Sequence, residues 1–95
     1  MKAYWIAIYK NLNDLERLKK YAEKASPAIK KYNGKIIVRG GKAETLEGNP
    51  SPRTVIIEFI NVNDALKCYH SSEYQAAKKL AKGKFNRHIQ IVEGV

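Results

Sequence analysis

The sequence is poor in cysteine, proline and acidic residues. Its 95 residues include one cysteine, three prolines and nine acidic side chains, against 18 lysines and arginines. A single cysteine, Cys68, excludes an internal disulfide and a cysteine metal cage, and it is typical of a protein from a reducing compartment. We therefore expect a cytoplasmic protein in which Cys68 is a small packed residue, with a reactive thiol as the alternative.

Long apolar runs and catalytic motifs are also missing. No stretch approaches the roughly 20 apolar residues of a membrane span, and residues 1–11 lack the apolar run and cleavage site of a signal peptide. His70 and His88 are 18 residues apart and have no recognised metal spacing. No G-x-S-x-G sequence marks a nucleophilic serine. We expect no membrane association, no metal and no cofactor.

The formal net charge is +9, a property that many nucleic-acid-binding proteins share. The lysines, however, fall mainly on the polar positions of two amphipathic segments, between residues 19 and 31 and between residues 67 and 84. Solvated helix faces explain them, and no zinc finger, recognition helix or RNA-binding strand motif is present. We expect no nucleic-acid partner, and binding of nucleic acid through the basic helices is a less favoured alternative.

Hydrophobic periodicity predicts four strands and two helical regions. The strands are expected over residues 3–10, 35–47, 53–60 and 85–94, with a turn over 48–52. The first helix spans 13–33, with Asn13 and Glu16 as a capping box and a break near Ser26 because Pro27 follows. The second region has two pieces, started by Asn63 and by Ser72 with Gln75.

This β-α-β-β-α-β order predicts one α+β domain over residues 1–95, with a ferredoxin-like antiparallel sheet and both helical regions on one face. Side chains alternate between the two faces of a strand. The set expected to face the helices is Tyr4, Ile6, Ile8, Ile36, Val38, Val55, Ile57, Phe59, Ile89 and Ile91. The opposite set is Trp5, Ala7, Tyr9, Ile37, Arg39, Ile56, Glu58, Ile60, His88, Gln90 and Val92.

The opposite set is too apolar to remain in water, so we expect a second copy of the sheet to cover it in a homodimer. Arg39 and Glu58 would then lie on the same face of adjacent strands, where they pair with each other or with a ligand. Gly40 and Gly41 permit a bend that directs residues 42–52 away from their own sheet and towards the partner.

One group of residues could form a cleft for a small carbonyl or phenolic ligand, since it combines an acid, a base and a cation with aromatic walls. Its members are Trp5, Tyr9, Arg39, Glu58, His88 and Gln90. The alternatives are a structural ion pair between Arg39 and Glu58, and a solvent-exposed imidazole at His88.

Several stretches resemble a known family over essentially the whole chain. They are YWIAIY, A-SPAIKKYNGKIIVRGGKAETLEG, PRTVIIEF, YHSSEYQAAKKLAKG and the terminal IVEG, and the family is the domain of unknown function numbered thirteen-thirty. The resemblance implies a dimeric α+β barrel, in which two ferredoxin-like sheets pack face to face around an interior that could bind a small molecule. It implies no reaction.

The wider fold superfamily includes haem-degrading and quinone-forming monooxygenases and muconolactone isomerases. By analogy, the enzymatic alternative is a cofactor-independent monooxygenase or isomerase that acts on a small aromatic or lactone-like compound. Glu58 would be its base, Arg39 would stabilise an anion, and Trp5 and Tyr9 would form the walls. The competing hypothesis is a non-catalytic dimeric binding or stress-response protein in which Arg39 and Glu58 only hold the barrel together.

Overall fold

The computed structural model describes all 95 residues and contains four strands and three helices. In chain order they are β1 (Ala3–Tyr9), α1 (Leu15–Lys31), β2 (Lys35–Arg39), β3 (Thr54–Phe59), α2 (Val62–His70), α3 (Ser72–Ala81) and β4 (Arg87–Glu93). The strands form one antiparallel sheet in the order β2-β3-β1-β4. The α+β class and the ferredoxin-like arrangement are therefore confirmed.

The helices begin at different residues from those predicted. The observed N-caps are Asp14, Asn61 and Ser71 rather than Asn13, Asn63 and Ser72. In each case the cap side chain accepts a hydrogen bond from the backbone N–H three residues later, which satisfies one of the free amides of the first turn. Gln75, expected to assist the cap of α3, instead donates to the Tyr69 carbonyl at 2.7 Å.

Helix α1 runs without a break through Pro27, so the predicted interruption near Ser26 was wrong. Proline removes one amide donor and leaves the carbonyl four residues earlier, that of Glu23, without its helical partner. Pro27 and Glu23 both lie on the exposed side of α1, where water can hydrogen-bond that carbonyl. The buried side, which includes Ala25, Ala28 and Ile29, keeps the helix packed on the sheet.

Strand β1 presents to the helices the face opposite to the one predicted. Trp5 lies opposite Ile57 of β3 and Ile91 of β4, and it is only 2% exposed. Ala7 and Tyr9 are buried on the same side. Both alternating sets of β1 are apolar, so periodicity could not choose between them. The indole of Trp5 favours the observed orientation of β1, because it stacks on Phe59 and packs against Tyr69 and Tyr74 in tilted and edge-on arrangements.

A β-bulge in β2 places two further residues on the faces of the sheet opposite to those predicted. Ile36 lies opposite Ile57, but Val38 lies opposite Ile56, so β2 carries one extra residue at Ile37. Beyond the bulge, Val38 shares a face with Ile56, and Arg39 lies opposite Val55 on the helix side. Both positions are therefore reversed relative to the prediction. The strand ends at Arg39 rather than continuing to residue 47.

The face of the sheet that no helix covers is called the free face below. Its members are Tyr4, Ile6, Ile8, Lys35, Val38, Thr54, Ile56, Glu58, His88, Gln90 and Val92. Ile8 and Val92 are each more than 40% exposed. The predicted apolar free face therefore exists, although β1 contributes the alternate set of residues.

Helix α2 lies close to the sheet, and α3 packs closely against α1. Ala65, Cys68, Tyr74 and Ala77 are all 0% exposed and belong to the same hydrophobic core. Burial raises the pKa of the Cys68 thiol to about 11, so it is protonated at neutral pH. Cys68 is therefore a packed residue, as predicted. No helix is long and apolar enough to cross a membrane.

The contact made by Gly34 gives a first test of this packing. A Cβ atom at Gly34 would lie 2.6 Å from Ile29 Cγ2 and 2.9 Å from the Phe59 ring, both in the core. We expect Gly34→Ala to lower the free energy of unfolding by about 1–3 kcal/mol, measured by urea denaturation, because the core must move to make room. Gly41→Ala is the control, since nothing lies within 4 Å of its added methyl group. Equal denaturation midpoints for the two variants would contradict the packing described here.

Candidate small-molecule site

A cavity of about 100 Å³ lies between α1 and the sheet. Eleven of its 15 lining residues are hydrophobic, and they come mainly from β1, α1 and β3. The four polar lining residues are Ser26, Arg39, Arg53 and Arg87. Apolar walls with a few polar groups are typical of small-molecule sites, although this cavity is smaller than the roughly 300–1,000 Å³ that drug-sized ligands occupy.

Arg87, the first residue of β4, forms one end of the cavity. Its Nη1 donates to Tyr21 Oη at 2.8 Å, and it lies 3.4 Å from Tyr74 Oη. The two tyrosine oxygens are themselves hydrogen-bonded at 2.8 Å. The guanidinium also lies over the Tyr21 ring, with Cζ 4.7 Å from the ring centroid. These contacts join β4 to α1 and α3.

The protonation of this network follows from its burial. Burial raises the pKa of Tyr21 well above its ordinary value, and Tyr74 raises it further while Arg87 acts in the opposite direction. Burial likewise raises the pKa of Tyr74, against the effect of Arg87. Both hydroxyls are therefore neutral donors and acceptors at physiological pH, whereas the guanidinium is charged.

Arg53 is positioned by the end of the loop that joins β2 to β3. Ser51 Oγ donates to the Tyr9 carbonyl at 2.6 Å and accepts from the Arg53 backbone N–H at 3.2 Å. The Tyr9 N–H in turn donates to the Arg53 carbonyl at 2.9 Å. Across the loop, Gly40 has φ of 64°, and a Cβ there would lie 2.3 Å from Arg53 Nη1. Glycine at this position thus leaves room for the guanidinium.

Two arginines lie near the Tyr9 ring, one from the loop before β3 and one from β4. The Cζ atoms of Arg53 and Arg87 lie 5.9 and 5.7 Å from its centroid, within the range of cation–π attraction. Arg39, at the end of β2, is exposed and lies at the rim of the same cavity. Three guanidinium groups therefore surround one aromatic-walled cavity.

No carboxylate balances these three arginines. The ion pairs of the structure are Lys2–Glu58, Lys31–Glu73 and Lys84–Asp14, none of which involves Arg39, Arg53 or Arg87. No acidic residue lines the cavity. The Arg53 Nε is buried and has no hydrogen-bond partner, which is costly for a charged donor. No group of His, Cys, Asp or Glu side chains lies close enough to hold a metal ion.

The residues predicted to form one site are divided between the two faces of the sheet. Trp5, Tyr9 and Arg39 line the cavity on the helix side. Glu58, His88 and Gln90 belong to the free face.

The expected pairing of Arg39 with Glu58 was therefore wrong for a single chain. The bulge in β2 moves Arg39 to the helix side, whereas Glu58 stays on the free face. There Glu58 accepts a hydrogen bond from Tyr4 Oη at 3.2 Å and lies 3.3 Å from Lys2 Nζ. The cation and the base of the catalytic hypothesis do not meet within one chain.

Sequence reasoning missed four residues of the site, which are Tyr21, Arg53, Tyr74 and Arg87. The position of Arg87 could have been predicted, because it precedes Ile89 by two residues and therefore lies on the helix-facing side of β4. The same alternation places Arg53, two residues before Val55, on the helix side, whereas the space for its guanidinium depends on Gly40.

Solved structures show the same ferredoxin-like α+β class. A protein of unknown function from Rhodopseudomonas palustris matches with a TM-score of 0.79 at 13% identity, over 99% of this chain and 82% of that one. An ethyl tert-butyl ether d (ethd) family protein from Bacillus halodurans gives 0.63 at 16% identity, over 100% of both chains. A dimeric protein of unknown function with a ferredoxin-like fold from Bacteroides fragilis gives 0.63 at 17% identity, over 98% of this chain and 96% of that one.

The family is defined more closely by sequence. Residues 2–95 match the family described as Domain of unknown function (DUF1330), and the chain belongs to that family. The resemblance inferred from the sequence is thereby confirmed. No curated protein matches the chain.

The hydrogen bond from Arg87 to Tyr21 provides a test of the network. Tyr21→Phe removes the acceptor at 2.8 Å and leaves only the longer contact with Tyr74. We expect a loss of about 1–3 kcal/mol in the free energy of unfolding, because a buried charged donor loses its partner. Tyr32→Phe is the matched control, since no hydrogen bond involves the Tyr32 hydroxyl. If the two variants unfold at the same denaturant concentration, the network does not stabilise the fold.

Proposed function

We propose that this protein binds a small molecule in the cavity between α1 and the sheet, and that it does so as a homodimer assembled through the free face. The observation that carries the binding function is a mainly apolar cavity, with aromatic rings in its walls, that is lined by three arginines without a carboxylate partner. The site lies on the helix side of the sheet, not on the side that a barrel interior would occupy.

Binding is preferred to the catalytic alternative because the cavity offers no general base. Glu58 and His88 lie on the other face, and the tyrosines of the network have raised pKa values that keep them protonated. The arginines are permanently charged donors. The arginines and tyrosines of the cavity are therefore suited to recognising and orienting a ligand.

The free face supports the homodimer. No helix covers this side of the four-stranded sheet, and its Ile8 and Val92 are each more than 40% exposed. Apolar side chains cover much of it, and exposed apolar patches of this kind mark interaction surfaces. The similar protein from Bacteroides fragilis is dimeric.

The loop between β2 and β3 extends the proposed interface. Residues 40–50 are exposed, and Leu46 is 89% exposed. An apolar side chain this free of its own chain suits contact with a partner subunit. We expect the dimer to form in the reducing cytoplasm, because the single cysteine, Cys68, is a free and buried thiol.

Occupancy of the cavity can be tested without knowing the natural ligand. Ala22 is exposed and lines the cavity, so Ala22→Phe should obstruct it without crowding the core. We expect members of a library of single-ring organic compounds to shift the indole N–H resonance of Trp5, the single tryptophan, in the wild type. The shifts should be lost in Ala22→Phe and retained in Ala76→Phe, which alters an exposed position of α3 outside the cavity. A library that leaves the indole unmoved would refute the binding function.

The dimer is tested at the centre of the free face. Ile56 lies opposite both Ile6 and Val38, and Ile56→Lys would place an unpaired charge there, at a cost of several kcal/mol. We expect this variant to be monomeric or insoluble, and Lys79→Glu on the exposed side of α3 to associate normally, by sedimentation velocity. Wild-type protein that sediments as a monomer at micromolar concentration would rule the interface out.

A further inference from the structure

The arginines of the cavity define the chemical class of its ligand. Arg39, Arg53 and Arg87 line one small space that contains no carboxylate, and the ion pairs of the structure lie elsewhere. Like charges brought together repel one another, and the repulsion is relieved when an anion enters. A guanidinium donates through a planar fork that fits a carboxylate with two parallel hydrogen bonds.

Arg53 is the residue best prepared for such a ligand. Its Nε is buried and unpartnered, although a buried donor of this kind is usually hydrogen-bonded. Its backbone is fixed by Ser51 and Tyr9, and Gly40 leaves space for its guanidinium. Arg87, in contrast, already donates to Tyr21.

The walls limit the rest of the ligand. The indole of Trp5 and the ring of Tyr9 lie on the sheet side, and Leu18, Ala25 and Ile29 lie on the α1 side. A volume of about 100 Å³ leaves room for a compound of roughly one ring. An inorganic oxyanion would satisfy the arginines but would leave these apolar walls in contact with water.

Building on the proposed binding function, we infer that the ligand is a small organic carboxylate with a flat apolar body, whose carboxylate is received by Arg53 and Arg39 and whose body lies between Trp5 and α1. Arg87, whose Cζ lies 5.7 Å from the Tyr9 ring centroid, supplies further positive potential. The net charge of +9 favours the approach of such an anion.

The test compares a charged ring with its neutral counterpart. Benzoate, benzamide and inorganic phosphate are each titrated against the protein, with Trp5 fluorescence and the indole N–H resonance as readouts. We expect benzoate to bind at least about tenfold more tightly than benzamide, because a hydrogen bond to a charged group contributes more than one to a neutral group.

Substitutions test which arginines bind the carboxylate. Arg53→Gln and Arg39→Gln should each weaken benzoate binding by roughly tenfold and leave benzamide binding unchanged. Arg39 is exposed, so its variant is expected to fold even if Arg53→Gln does not. Lys79→Gln removes the same charge from the exposed side of α3 and should change neither affinity.

The outcomes separate this inference from the proposed function. Equal binding of benzoate and benzamide would overturn the carboxylate class while leaving a functional cavity. Phosphate binding as tight as that of benzoate would show that the arginines hold an inorganic oxyanion, and it too would overturn the inference. If single-ring fragments bind but benzoate does not, the carboxylate class is wrong and the proposed function stands. If neither benzoate nor any fragment perturbs Trp5, both are wrong.

Discussion

The partly buried guanidinium of Arg87 is the group on which much of the arrangement depends. A charge removed from water costs several kcal/mol unless its donors are satisfied. Tyr21 from α1 provides the closest acceptor and Tyr74 from α3 the next, so a strand and two helices must meet at one point. Because the tyrosine rings also pack against Phe85 and Trp5, the polar contact and the apolar core reinforce each other.

Packing is uneven across the fold, and the unevenness explains where the cavity lies. Helix α2 approaches the sheet closely, and its Ala65 and Cys68 are fully buried. Under α1 the cavity is lined by three arginines, which cannot close together without burying like charges. Repulsion between the arginines therefore helps to keep the cavity open. The aromatic ring of Tyr9 lowers the electrostatic cost of holding two of these cations near each other.

The order of elements could be predicted from the sequence because it depends on local periodicity and turn residues. The orientation of β1 could not, since Tyr4, Ile6 and Ile8 are as apolar as the residues between them. The bulge at Ile37 is a property of the pairing between β2 and β3, and it carries no sequence mark of its own. For the same reason the sequence could not show that the candidate residues divide between the two faces: Trp5, Tyr9 and Arg39 share a cavity, whereas Glu58 lies on the free face.

Strand β1 lies at the middle of the sheet, and its two sides have different neighbours. Trp5 and Tyr9 contact the cavity, whereas Ile6 and Ile8 belong to the free face. Inserting or deleting a single residue would exchange these sets, because side chains alternate with a period of two. The core would then receive isoleucines where it holds an indole, and Trp5 would be turned outwards. Change in this strand during evolution is therefore restricted to substitutions, and the length of the strand must be kept.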